Sequence, residues 1–271
     1  METYLKFYTQ VGEKYPEETI IYRSLRGMLR KKFILAQITK WQGSLLEIGC
    51  NVGTYLNAYE GGKKVGVDIS YPLLRQLKEK SAEQSVGVMD AQEIAVKQNQ
   101  FDHILCSEVL EHLSNPQEAM KEIGRILKPG GTALITTPNY RGKRPTWISV
   151  GALSDYGISG VKEGQYFHTA FHPKELEQMS ILAGLEIIES GTIEKEVKYA
   201  AKIPALFFII IRFLNRKTFR NVEIHRKNER FFNQFQVWCY RFAWFTGIHF
   251  LLMAFVKEGV RSFVLLRKPF E

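Results

Sequence analysis

The chain has 271 residues, 45% of them hydrophobic and 24% charged, with a formal net charge of +9. That length suits one large domain or two small ones with a sizeable core, and the composition excludes a disordered chain, a collagen-like repeat and a polytopic membrane protein. The charge is unevenly placed: residues 1–191 carry 22 basic and 22 acidic side chains, whereas residues 192–271 carry 15 and 6 and hold 17 of the 34 aromatics.

In chain order, Met1 to Glu18 is polar and acidic, without a charged-then-apolar leader. One helix is expected over 17–40, behind Pro16, because Ile21, Leu25, Met28, Leu29, Phe33 and Ala36 recur at intervals of three and four. Gly43 breaks that pattern. Short apolar runs at Leu45–Gly49, Val65–Ile69, Val86–Met89, His103–Cys106 and Thr132–Thr137 then read as strands. Amphipathic stretches at Pro72–Glu83 and Pro116–Leu127 read as helices between them, the second ending at Lys128-Pro129-Gly130-Gly131. Strands alternating with helices of this length predict βαβ units in a parallel sheet. A further helix is expected over Pro173–Ala183, capped by His172, with strands at Leu185–Glu189 and Ser262–Leu266.

The three cysteines, Cys50, Cys106 and Cys239, lie far apart without CxxC spacing, which predicts reduced thiols and a reducing compartment. The six histidines show neither an HExxH pattern nor paired spacing, so no metal site is expected.

The first strand runs into Glu47-Ile48-Gly49-Cys50-Asn51-Val52-Gly53, a glycine-rich turn through which backbone can approach a ligand at the mouth of the sheet. Asn51 stands at its middle, and Asn tolerates positive φ better than any other residue bar Gly. The second strand ends in Asp68-Ile69, where an acid suits ribose hydroxyls; the third ends in Asp90-Ala91, where a carboxylate could reach an adenine amino group. With the fourth strand, which leads into Ser107-Glu108, these ends form a crevice for a nucleoside.

These segments resemble the class I S-adenosylmethionine-dependent methyltransferases, the group that contains quinone-biosynthesis and small-molecule O-methyltransferases. LLEIGCNVG (45–53), VGVDIS (65–70), VMDAQEI (88–94), FDHILCSEVLEHLSNP (101–116), ILKPGG (126–131) and LITTPN (134–139) occur in family order and spacing, and Asn51 replaces a family glycine. The resemblance implies a Rossmann-like α/β fold: a mostly parallel seven-stranded sheet with an antiparallel last strand and helices on both faces. It implies S-adenosyl-L-methionine as cofactor, with Glu47 and Gly49 near the methionine moiety and Cys50, Asn51 and Gly53 shaping the turn. Asp68 and Ile69 would meet the ribose side, Asp90 and Ala91 the adenine, and Ser107 and Glu108 the methyl-donor side.

Methyl transfer from a sulfonium is an in-line displacement, so the protein must align and desolvate the acceptor and supply a base where the acceptor is a hydroxyl. Candidate catalytic groups are Glu111 and His112, which with Glu108 fall at i, i+3 and i+4 of an expected helical face, and His168, behind a glycine-rich stretch (151–164) that could form a lid. Nothing like the Asn-Pro-Pro-Tyr element of nucleic-acid amino-methyltransferases follows the fourth strand, which by family analogy argues for a small-molecule or lipid acceptor, O-methylated or, as an alternative, C-methylated on a prenylated ring.

The expected organisation is an N-terminal helical extension (1–42), a methyltransferase domain (43–191 and 260–271) and a basic, aromatic insertion (192–259). The insertion holds the apolar run Ile203–Ile211 and 15 uncharged residues from Phe242 to Val256. A spanning helix needs ~20 apolar residues, so a peripheral anchor on the anionic cytoplasmic face of a membrane is the expected role. A homodimer seam, or a helical cover on the sheet, is the alternative; nucleic acid ranks third. A membrane-associated cofactor-binding protein without turnover is the competing class.

Overall fold

Leu45–Ile48 (β1 below) is buried at every position, the mark of a strand covered on both faces. The computed structural model describes residues 2–15, 20–215, 217 and 222–270. These divide into two units, one from Met1–Pro16, Ile34–Gly191 and Arg261–Glu271, the other from Glu17–Phe33 and Thr192–Val260.

The first unit begins with an unanticipated helix, α1 (Glu2–Lys14). Its Gly12 is packed so closely that an added Cβ would lie 2.3 Å from Ser70 Oγ. Next comes α2 (Leu25–Ile38), whose last five residues, from Ile34, belong here. The expected single helix over 17–40 therefore starts later. Ser24 Oγ accepts the Gly27 N–H at 3.1 Å, an N-cap that restarts the chain after a turn at 22–24. Pro16 and residues 17–19 lie outside the described residues.

From β1 (Leu45–Ile48) the chain alternates as expected: α3 (Thr54–Ala58), β2 (Lys64–Asp68), α4 (Tyr71–Lys80), β3 (Ser85–Val88), β4 (Phe101–Ser107), α5 (Pro116–Ile126) and β5 (Leu127–Pro138). A short hairpin, β6 (Trp147–Ser149) with β7 (Gln165–Phe167), precedes α6 (Pro173–Leu182) and β8 (Glu186–Ile193). Helix α5 buries Ala119, Met120, Ile123 and Ile126 on one stripe, the face its sequence period marks. Strand β5 starts five residues earlier than its apolar run, because Gly130 and Gly131 hydrogen-bond to Lys268. After the second unit, β9 (Arg261–Arg267) returns to the sheet, whose order is β3-β2-β1-β4-β5-β9-β8. Strands β1 to β5 pair in parallel and β9 runs antiparallel to β5. The order reverses between β1 and β4, and ligands of open parallel sheets bind outside the strand ends at such a switch point.

The second unit is helical: the start of α2, then α7 (Val197–Ala200), α8 (Lys202–Leu214), α9 (Val222–Phe245) and α10 (Ile248–Ala254). Its small core joins Leu25, Val197 and Ala200 to Val237 and Tyr240. The uncharged run from Phe242 to Val256 is split by Gly247 at φ 75, between α9 and α10. Among the described residues, no helix is long and apolar enough to cross a membrane.

Candidate active site

The turn after β1 is a succession of left-handed residues: Gly49 (φ 72), Asn51 (φ 51) and Gly53 (φ 80). Such a sequence curls backbone N–H groups round a concavity suited to a polar ligand. Asn51 takes the conformation expected of it, and its Oδ1 accepts the Val52 N–H at 2.7 Å. Asp68, at the end of β2, spans the neighbouring segments: Oδ2 accepts the Asn51 N–H and Oδ1 the Ser70 N–H, both at 2.9 Å. Burial raises the Asp68 pKa against these hydrogen bonds, which lower it. Glu47 lies deeper, 3% exposed, and burial holds its carboxyl well above the usual carboxylate range, opposed by a hydrogen bond from the Leu56 amide in the first turn of α3.

The remaining cofactor candidates differ in what they can offer. Cys50 contributes shape: its thiol packs with Leu56, Leu74 and Leu77, its N–H goes to Val67 O, and its carbonyl accepts the Gly53 N–H. Burial pushes the thiols of Cys50 and Cys106 up, so both are unreactive. Asp90 closes its own turn by accepting the Gln92 N–H at 2.8 Å. Ile69 is half-buried and Ala91 buried beside it in the sequence of strand ends. Ser107 is hydrogen-bonded to Thr136 at 2.9 Å.

Glu108, Glu111 and His112 do not share an α-helical face. Glu108 sits at φ 59 and the chain then makes a 3₁₀ turn over Leu110–His112. The turn sends Glu108 toward β9, where Arg261 Nε donates to its Oε2 at 2.6 Å. Glu111 and His112 instead meet His168, and donor atoms of the three lie within 4.8 Å of one another. That spacing could pass a proton, and it could also hold a cation, which the sequence alone did not suggest. Burial, then the neighbouring His168, pushes His112 down to about 3 against the pull of Glu108. Burial also lowers His168, with Glu108 raising it and Arg261 lowering it. Both imidazoles are therefore neutral at pH 7. His172 is the helix cap expected of it, its N–H donating to Glu175 Oε2 at 2.7 Å.

Sequence reasoning missed the partners of His112. Tyr4 donates from its hydroxyl to the His112 carbonyl at 2.7 Å, and the Tyr8 hydroxyl lies 2.8 Å from His112 Nδ1, both from α1. Phe7 of the same helix stacks on Tyr166 at 4.9 Å. With Trp147 and Phe167 of the β6–β7 hairpin they wall a cavity of about 270 Å³ that His112 also lines. The only sequence signal for α1 was an aromatic at positions 4, 7 and 8, the spacing of one helical face.

Replacing Arg261 with Met strips Glu108 of its cation at a largely buried, left-handed position. The expected cost is roughly 2–3 kcal/mol, discounted from that of a fully buried pair. The loss should appear as a lower Tm, and His168 should titrate at a higher pH by NMR because the lowering influence of Arg261 is gone.

The switch-point crevice, its left-handed turn and the acids at the ends of β1 and β2 define a nucleoside-cofactor enzyme of the seven-stranded α/β class. A family model described as a methyltransferase domain matches residues 46–135. A ubiquinone biosynthesis O-methyltransferase of Coxiella burnetii is 30% identical over 168 residues, covering 59% of this chain and 71% of its own. That of Saccharophagus degradans is 30% identical over 195 residues, covering 67% and 82%. Among solved structures, a chain from the complex with the Haloferax volcanii Trm112 methyltransferase activator superposes with a TM-score of 0.59 at 17% identity, over 98% of this chain and 96% of that one. Haemonchus contortus phosphoethanolamine N-methyltransferase 2, in complex with S-adenosyl-L-methionine, gives 0.53 at 20% identity over 89% of this chain and 52% of that one. These two likenesses bear on the fold. The chain belongs to the class I S-adenosylmethionine-dependent methyltransferases. It is a methyltransferase, and S-adenosyl-L-methionine is its methyl donor.

Proposed function

We propose that the protein O-methylates a hydroxylated aromatic ring carrying an apolar chain, presented at an anionic membrane surface. The observation that carries this reading is the aromatic-walled cavity with the neutral His112 in its lining. Flat aromatic walls suit a ring, and the names of the ubiquinone-biosynthesis relatives point the same way.

The residues present fit the cofactor. Glu47 Oε2 is buried with no hydrogen-bond partner among the described residues, an acceptor that the methionine ammonium would satisfy. Gly49 and Gly53 would admit the cofactor to the backbone, Asn51 keeping the turn open between them. Asp68 would take the ribose, and Ile69, Asp90 and Ala91 would border the adenine. When bound, S-adenosylmethionine supplies an electrophilic methyl group on a sulfonium. This chain then has two tasks: to hold the acceptor oxygen in line in a dry pocket, and to remove its proton. His112 lines the cavity and is unprotonated, so we assign it as the base, with Glu111 Oε1 3.9 Å from Nε2 to stabilise the charge that forms. Ser107 and Glu108 fit best as supports of the acceptor side, through Thr136 and Arg261.

The membrane part rests on the helical unit. Trp238, Phe242 and Trp244 on α9 and Phe250 and Leu251 on α10 are each more than half exposed, and Phe245 at the C-terminal end of α9 is 93% exposed. Along α8, Ile203, Leu206 and Ile209 are about 60% exposed. Exposed apolar helices in a segment rich in Arg and Lys fit a surface anchor on anionic headgroups.

The test is transfer of labelled methyl from S-adenosylmethionine to a catechol bearing an isoprenoid chain, supplied in phosphatidylglycerol vesicles. We expect label in the ether, faster in anionic than in neutral vesicles, with the difference shrinking at high salt. Equal rates on both vesicle types would remove the membrane reading, and S-adenosylmethionine binding without label in any ring acceptor would remove the O-methylation reading.

A further inference from the structure

Helix α1 is held on two sides. On one it meets α4 just past Asp68: Ser70 Oγ donates to the Tyr8 carbonyl at 3.3 Å, and Gln76 Nε2 to the Gly12 carbonyl at 3.0 Å. Gly12 fits there because it has no side chain; an added Cβ would run into Ser70 Oγ and Leu73 Cγ. On the other side Tyr4 donates to the His112 carbonyl at 2.7 Å, the Tyr8 hydroxyl lies 2.8 Å from His112 Nδ1, and Phe7 stacks on Tyr166. In the sheet, β1 lies between β2 and β4. The ends of those two strands are about 10 Å apart, two strand spacings. From Tyr4 to Gly12, α1 runs about 12 Å along its axis. A helix pinned at Ser70 and at His112 therefore crosses the end of β1, over the left-handed turn at 49–53.

We propose that α1 is a strap that closes over bound S-adenosylmethionine and, in closing, completes the acceptor cavity. It rests on the cofactor lying at the turn after β1. The hold on α1 is suited to opening. Among its described side chains, Phe7 alone belongs to the buried apolar core. The other contacts are mostly hydrogen bonds that water replaces at small net cost, so the helix can lift without global unfolding. A cofactor beneath it adds contacts that exist only in the closed position, and by linkage it stabilises closure by as much as closure strengthens its own binding. The same closure brings Tyr4, Phe7 and Tyr8 to the cavity wall. Binding the methyl donor thus assembles the wall that keeps water from the transfer, and the strap must lift again for the demethylated cofactor to leave.

The experiment is amide hydrogen exchange on the full chain, with and without saturating S-adenosylhomocysteine, alongside stopped-flow measurement of its release. In the free protein α1 should exchange at least ~10-fold faster than α5, and the bound cofactor should slow it about tenfold. The peptide carrying β7 should slow with it, because Phe7 stacks on Tyr166. Gly12→Leu wedges α1 off α4 and should speed release about tenfold, whereas Glu13→Leu, on the exposed side of the same helix, should release at the wild-type rate. Gln76→Ala removes one hydrogen bond without adding bulk, and serves where Gly12→Leu unfolds the helix; it should speed release roughly two- to threefold. Protection of residues 45–56 with none over α1, or wild-type release by both Gly12→Leu and Gln76→Ala, overturns the strap. No protection of residues 45–56 overturns the placement of the cofactor itself, and is read separately from α1.

Discussion

Gly49→Ala should abolish measurable S-adenosylmethionine binding at micromolar cofactor and lower stability by about 3 kcal/mol. Two costs combine. The residue holds φ 72, where a Cβ costs roughly 1–2 kcal/mol. The new Cβ would also lie 2.3 Å from Val109 Cγ2. Val109 is β-branched and stiff at χ1, and it leads into the 3₁₀ turn that holds His112. Relief of the clash must therefore move either the turn after β1 or the 3₁₀ turn that carries His112. Gly184→Ala provides the control: its φ is 74 and nothing lies within 4 Å of its added Cβ, so it shows the backbone cost alone. The double variant Gly49→Ala/Val109→Ala should recover part of the binding and at least 1 kcal/mol of stability, since the two sites are in contact. Calorimetric titration with thermal melts measures both. Equal melts for Gly49→Ala and Gly184→Ala would show that the clash has no energetic weight.

Glu47→Gln should make the protein more stable and a poorer binder. Burial holds the Glu47 carboxyl well above the usual range. The sign follows from proton uptake: an acid whose pKa is raised by folding binds its proton more tightly when folded. The stability it allows is full below its ordinary pKa and is lost as pH rises from there toward the raised value. A neutral amide removes that loss, so the advantage of the variant should grow with pH over that window. We expect about 1 kcal/mol or more at pH 7, seen as a Tm increase of roughly 2–4 °C. Loss of a charge-assisted contact to the methionine ammonium should weaken S-adenosylmethionine binding roughly ten- to a hundredfold. An unchanged Kd would remove Glu47 from the cofactor site.

Much of the cofactor side was legible from residue order. The order of the strands before the hairpin, the left-handed Asn51 and the acid at Asp68 were expected as the structure has them, although β5 starts five residues before its apolar run. The cluster after β4 was read less well. Glu111, His112 and His168 do converge, but the helical face assumed for Glu108, Glu111 and His112 is a 3₁₀ turn that sends Glu108 elsewhere. A window of five residues scores α and 3₁₀ spacing almost alike, and the positive φ of a glutamate leaves no mark in composition. Helix α1 went unread because its inward face is built from tyrosines and a single Phe rather than from aliphatic residues.

The sequence by itself determined the alternation of strands and helices, the open turn after β1, and the separation of a neutral body from a basic, aromatic segment. Each of these is written in local pattern: apolar periodicity, glycine spacing and charge counts within a short stretch. Only the tertiary structure decided that Arg261 neutralises Glu108 across 153 positions, and that Tyr8 reaches the ring of His112 across 104. Contacts of that span depend on which strand ends the sheet order brings together. The structure also places the tyrosines of the N-terminal helix beside His112.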